Sequence, residues 1–316
     1  MPVRAALAAT LLLLASRAAP ADEAFVANQG SDDVTVVDLE RGEAVATIPV
    51  GGKPAGVAVS RDGARAYVTS PEGKYLSVVE AAARAVLRRV PLEGGPLGVA
   101  VHPSGAPVYV ADWYGGRLWV VDPEAGAVTG TVEVGASPSG VAVTADGRTI
   151  LTADRDADQV SVVDAATLAR TATVKVGTRP FGVTVDHEGR RAYTANVGSN
   201  DVTVIDLAER RVVGTVPVGE RPYAVALASG RGFVTDQYAN TVTVFDLATL
   251  GRVGVVEVGE YPEGIEASAD GAKVYVAGWF ANTLGVIDAE RLTVEVEVTV
   301  GDGPRAFGAF VRRTGP

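Results

Sequence analysis

From Ala24 to the carboxy end the chain is a succession of short apolar runs, each broken by a polar turn carrying Gly, Pro, Asn or Asp. Runs such as "VTVVD", "GVAVS", "AYVTS" and "YLSVVE" are four to seven residues long and rich in Val. Their apolar positions alternate with polar ones, which predicts strands, and no helical period is present. Dipeptides such as Asp62-Gly63, Asp146-Gly147 and Asp270-Gly271 supply the tight turns that join neighbouring strands.

The pattern itself recurs. A proline after a Gly-rich turn stands at Pro54, Pro96, Pro138, Pro180, Pro222, Pro262 and Pro304, at intervals of 42, 42, 42, 42, 40 and 42. Each proline opens text like "GVAV". A turn follows, then text like "AYVTS" or "AYTAN", then "VSVVD" or "VTVID", and finally "VVGTVPVG". The 40-residue interval has lost two residues at Ala228–Gly232, in a turn. Four strands in about 42 residues make one blade of a β-propeller. The ends give the number of blades. Residues from Phe25 hold second, third and fourth strands, and "PRAFGAF" near the carboxy end supplies a first strand. The expected fold is all-β: a seven-bladed propeller with four strands per blade. Its ring closes where the amino-terminal three strands meet the carboxy-terminal one, leaving no open sheet edge between blades.

Residues 1–21 read as a separate element. Arg4 precedes an apolar run from Ala5 to Ala15, and "APA" at Ala19–Ala21 offers the small residues a signal peptidase reads. A cleaved leader, a single domain over residues 22–316 and a periplasmic or secreted location are therefore expected. The run is short for a membrane span, and no other stretch approaches a transmembrane helix. Without Arg4 and Arg17 the chain carries 26 basic and 38 acidic residues, a formal −12. That charge disfavours nucleic acid as a partner. Cysteine is absent and the histidines are only His102 and His187, so no cofactor or metal of the haem, copper or usual zinc type is expected.

"AYVTS", "AYTAN" and "VYVAG", followed by "VTVIDL" and "VPVGERPYAVAL", resemble the YVTN-type β-propeller repeat over essentially the whole chain after the leader. The resemblance implies the propeller fold. Because some secreted seven-repeat members are associated with quinone (PQQ)-dependent alcohol oxidation, it also implies such a system as a setting.

Candidate residues follow from topology. If each blade's strands run outward from the axis, the loops between second and third strands share a face with the connections that lead into the next blade. "DWYGGR" places Trp113 and Tyr114 there, "DQYANT" places Tyr238, and "GWFANT" places Trp279 and Phe280. The rings are expected at the rim, because glycines follow them and they leave the strand alternation. Two rings of residues flank the prolines. Lys53, Gly95, Ser137, Arg179, Arg221, Tyr261 and Gly303 precede them, and Ala55, Leu97, Ser139, Phe181, Tyr223, Glu263 and Arg305 follow. Four cations against one carboxylate predict a channel mouth suited to an anionic small molecule or a protein partner. The expected function is a binding or accessory protein, acting as a monomer. The alternative is a lactonase-like hydrolase using Glu263 with Arg221 or Arg305. Asp38, Asp122, Asp164, Asp206, Asp246 and Asp288 end third strands and are read as turn caps. Asn28, Asp112, Asp154, Asn196 and Asp236 end second strands, where they are expected to bond the loop backbone. Asp154, Asp156 and Asp158 have the alternation of a calcium loop but lack its glycine and final acid, and the sequence leaves calcium open.

Overall fold

The structure, a computed structural model, describes residues 21–314; the expected leader lies outside the described residues except for Ala21. Seven four-stranded antiparallel sheets form the blades of a propeller, as the repeat predicts. Among the described residues no helix is long and apolar enough to cross a membrane. Within each blade the strands are called inner, second, third and outer, counting from the axis; blades are numbered from the one that begins at Pro54.

Burial explains which residues form which strand. Second and third strands, such as β5 (Arg65–Ser70) and β6 (Tyr75–Glu80), are covered on both faces by neighbouring blades and read as nearly continuous apolar text. Outer strands such as β7 (Ala85–Pro91) are largely exposed. The expected alternation therefore belongs to the periphery, because the middle strands have no solvent face. One large side chain per second strand fills the space between blades: Phe25, Tyr67, Tyr109, Leu151, Tyr193, Phe233 and Tyr275 are all buried. Burial pushes the Tyr67 and Tyr275 hydroxyls up to about 12.

Near the axis the inner strands converge, and this dictates a glycine two residues after each proline in most blades. A Cβ at Gly56, Gly98, Gly140, Gly182 or Gly264 would lie 2.3, 1.9, 2.6, 2.7 or 2.1 Å from a carbonyl oxygen of the next blade. Only a residue without a side chain fits there.

Ring closure differs in detail from the expected single strand "PRAFGAF". Pro304 bridges Asn28, and β28 (Val311–Arg312) pairs with Glu23 and Ala24 of β1 (Glu23–Asn28). Between them the chain leaves the ladder. Phe307 N–H donates to Ala55, while Val57 and Val59 of β4 (Val57–Val59) donate to the carbonyls of Phe307 and Ala309. Gly308 at φ 128° makes this detour possible. The seventh inner strand thus bonds its own blade at both ends and the first blade in its middle. Glu23 reinforces the joint, meeting Arg84 at 2.7 Å and Arg312 at 2.8 Å.

Candidate functional site

The loops and connections named from the sequence do assemble on one face. Trp113, Val197, Gln237 and Trp279 donate their backbone N–H groups to the carbonyls of Gly95, Arg179, Arg221 and Tyr261. Each second-to-third-strand loop is thereby stapled to the connection beside it.

At the axis this face is closed by a plug of side chains. Phe181, Tyr223 and Phe307 pack with ring centroids 4.2, 5.1 and 5.4 Å apart, and Ala55 and Leu97 complete the cluster. Trp113 leans on Phe181 at 6.0 Å and is half-buried, whereas Tyr114 is 81% exposed. The two aromatics of "DWYGGR" therefore have different roles: one caps the plug and one projects. Phe307 was missed in the sequence because it sits in a segment read as regular strand. The two glycine-flanking phenylalanines of "RAFGAF" were its only signal.

Arg305 lies against the plug and is committed within the protein. Its Nε and Nη2 donate to Glu263 Oε2 at 2.6 Å and Oε1 at 3.2 Å, and Nη2 also donates to the Tyr223 hydroxyl at 2.8 Å. Such a bidentate pair is strong when desolvated. Burial works against the guanidinium's charge, but Glu263 and Tyr223 outweigh it and hold the pKa above its ordinary value. Burial also raises the Tyr223 hydroxyl. From Glu263 a chain of hydrogen bonds runs to the rim. Gln237 Nε2 donates to Glu263 Oε1 at 2.8 Å, and Arg221 Nε donates to Gln237 Oε1 at 2.8 Å. Arg221 Nη1 then reaches the Tyr238 hydroxyl at 3.1 Å. Glu263 is buried and accepts three hydrogen bonds, so it is not a free proton acceptor for hydrolytic chemistry. The sequence offered Glu263 with Arg221 or Arg305; the structure joins Glu263 to Arg305 directly and to Arg221 through Gln237.

Outside the plug, four aromatics from blades five and six form one patch. Tyr238 lies 5.8 Å from Tyr261, which lies 5.3 Å from Trp279 and 5.1 Å from Phe280. Trp279 and Phe280 are 4.8 Å apart. Tyr238 is 52% and Phe280 57% exposed, while Tyr261 and Trp279 between them are half-buried.

Backbone geometry fixes the residues that precede the prolines. Lys53, Arg179, Arg221 and Tyr261 adopt positive φ (57°, 54°, 58° and 59°). Their N–H groups donate to the side chains of Asp32, Asp158, Asn200 and Asn240, each at 2.7–2.9 Å and each 21 residues earlier. That 21-residue spacing is present in the sequence itself. Lys53 also pairs with Asp32 at 3.4 Å, while Arg179 is exposed.

The carboxylates sort differently from expectation at one position. Third-strand Asp38, Asp122, Asp164, Asp206, Asp246 and Asp288 accept backbone N–H groups of their turns, as expected of caps. The residues ending second strands, however, bond mainly across to the first residue of the third strand. Asn28 and Asn196 donate to Asp33 and Asp201, whereas Asp112 and Asp154 accept from Arg117 and Gln159. In each of these contacts a donor meets an acceptor, although the Oδ1 atoms of Asn28 and Asn196 are buried without a partner. The expected bond to the loop backbone is made as well at Asp112, which takes the N–H groups of Gly95 at 3.0 Å and Tyr114 at 3.3 Å, at Asp236, which takes that of Gly219 at 3.0 Å, and at Asp154, which takes that of Gly135. Burial raises Asp154 and pushes Asp236 up to about 6.

The calcium-like triplet does not converge. Asp154 is buried among Thr152, Gln159 and Ser161; Asp156 pairs with Arg155; Asp158 accepts the Arg179 N–H. Among the described residues no group of three His, Asp or Glu is placed to hold a metal. The histidines lie on the opposite face. His102 contacts Ser104 Oγ at 2.7 Å, and His187 lines an open cleft of about 570 Å³ with Asp146 and Arg210.

Comparison with known proteins agrees with this architecture. The family model of a YNCE-like β-propeller matches residues 12–103. A chain of the Kuenenia stuttgartiensis hydrazine synthase superposes with a TM-score of 0.74 at 19% identity, over 81% of this chain and 89% of that one. A functionally unknown protein from Desulfotomaculum acetoxidans DSM 771 gives 0.76 at 16% identity, over 90% and 99%. No curated protein matches the chain. At these identities the likeness to solved structures is one of fold, and the chain is a seven-bladed β-propeller with a YNCE-like amino-terminal segment.

Proposed function

We propose that this chain is an exported binding or accessory protein that uses the face carrying Trp113 and Trp279 to hold a protein partner. The observation that carries the reading is the aromatic patch of Tyr238, Tyr261, Trp279 and Phe280, with Tyr238 and Phe280 exposed and the other two half-buried, on a scaffold closed by two termini. Aromatic anchors held by a rigid frame bind without first being ordered, which keeps the entropic cost of association low. The plugged axis and the engaged Glu263 favour this over the hydrolase reading. Export rests on the leader-like residues 1–21, and a PQQ-dependent alcohol oxidation system is the proposed setting on the strength of the repeat resemblance.

The test is site-specific photocrosslinking in the native host. A photoreactive phenylalanine analogue at Phe280 should yield a discrete protein adduct, and the same probe at His187 should not. Adducts from position 187 alone, or equally from both, would remove the assignment.

A further inference from the structure

The mouth was expected to attract anions, because four cations flank the prolines. The structure changes that balance. Arg305 is paired with Glu263 and Lys53 with Asp32, so neither offers net charge to a visitor. Meanwhile Glu220, Glu260 and Asp302, each two residues before its proline in blades five, six and seven, are exposed. None of the three is in an ion pair with any described residue.

These carboxylates border the aromatic patch. The Tyr238 N–H donates to the Glu220 carbonyl at 3.2 Å, and the Phe280 N–H donates to that of Glu260 at 3.2 Å. The Trp279 indole lies against Gly303, the residue after Asp302. Two cations meet the patch: the Arg221 guanidinium is turned onto the Tyr238 ring at 4.8 Å, and Arg305, already paired with Glu263, lies 5.9 Å from the Trp279 ring. Arg179 belongs to blade four, whose loop "NVGSN" carries no aromatic.

We infer that the patch docks a basic segment of a protein partner, with Lys or Arg heads over the carboxylates and ring faces and their stems on the rings. Exposed rings attract such cations, and the alkyl stems cover apolar surface. The chain's formal charge of −10 steers the same partner from a distance. This inference rests on the proposed binding face and adds the partner's sign of charge. It replaces the anionic partner that counting cations suggests.

The experiment is selection of random dodecapeptides displayed on phage against the folded protein, with three variants as counter-targets. These are Trp279→Ala/Phe280→Ala, the charge-neutralised Glu220→Gln/Glu260→Gln/Asp302→Asn, and His187→Ala on the opposite face as a control. All substitutions lie in turns, and circular dichroism checks that each variant is folded. We expect enriched peptides bearing two or more Lys or Arg. Synthetic copies should bind at least tenfold more weakly to the first two variants and normally to His187→Ala, and should weaken with added salt. Peptides that need Trp279 but are neutral or acidic, or that ignore the neutralised carboxylates, would overturn the charge inference while leaving the binding face intact. Absence of any peptide that depends on Trp279 and Phe280 would overturn both.

Discussion

Replacing Arg305 with Met keeps the length of the side chain near the plug but removes its charge. Glu263, whose side chain is 2% exposed, would then be a buried carboxylate with Gln237 as its remaining side-chain donor. Breaking a buried pair from one side costs about 3–5 kcal/mol, since the other charge is left uncompensated. Arg305 keeps 21% of its side chain exposed, and solvent screening there places the expected loss near the lower end, about 3 kcal/mol. In a protein of this size that corresponds to a fall in Tm of roughly 5 °C. The assay is thermal unfolding by circular dichroism, beside Glu263→Gln and the double variant. Removing both charges should recover at least half of the loss, because the stranded carboxylate is the main cost. A fall below about 1 kcal/mol, or a double variant as unstable as Arg305→Met, would refute the structural role and return Arg305 to the list of free cations.

Two further predictions concern buried polar groups. Glu266 faces the carboxy-terminal segment, accepting the Val311 N–H at 2.7 Å and pairing with Arg313 at 3.2 Å, and burial pushes its pKa from 4.5 to about 7. Between those values the folded protein holds a proton that the unfolded chain has lost, so this group's contribution falls as pH rises through the window. The limit of that fall is about 3 kcal/mol. Glu266→Gln should therefore flatten the decline in denaturant-measured stability between pH 5 and pH 8 relative to the parent, and parallel profiles would contradict it. Asn196→Asp should set two carboxylates together at the 2.5 Å contact with Asp201 and cost roughly 2 kcal/mol. Adding Asp201→Asn should restore most of that stability in urea unfolding, and failure to do so would show that the cross-strand pairing is incidental.

The fold was legible because its unit repeats seven times, so each proline, glycine and turn could be checked against its counterparts. The ring's joint was less legible. "PRAFGAF" looks like one more inner strand, and only the three-dimensional position of β4 shows why Phe307 and Ala309 pair with the first blade. The face carrying Trp113, Tyr238 and Trp279 could be read from strand order, since direction alternates along a blade. Which cations on it are free could not. Arg305 and Glu263 are 42 residues apart, and their pairing depends on the packing of adjacent blades around the axis. The 21-residue spacing from Asn200 to Arg221 and from Asn240 to Tyr261 was present in the text, but its hydrogen bond is visible only once the outer strand returns the chain.

The most direct measurement of the central claim is the affinity of the partner captured through Phe280, titrated calorimetrically against single variants on the two faces. Trp279→Ala and Phe280→Ala should each weaken binding about thirtyfold, the equivalent of about 2 kcal/mol for a buried aromatic anchor. His187→Ala, on the opposite face, should stay within about twofold of the parent, as expected for a residue outside the interface. Equal losses on both faces, or a loss confined to His187→Ala, would contradict the account.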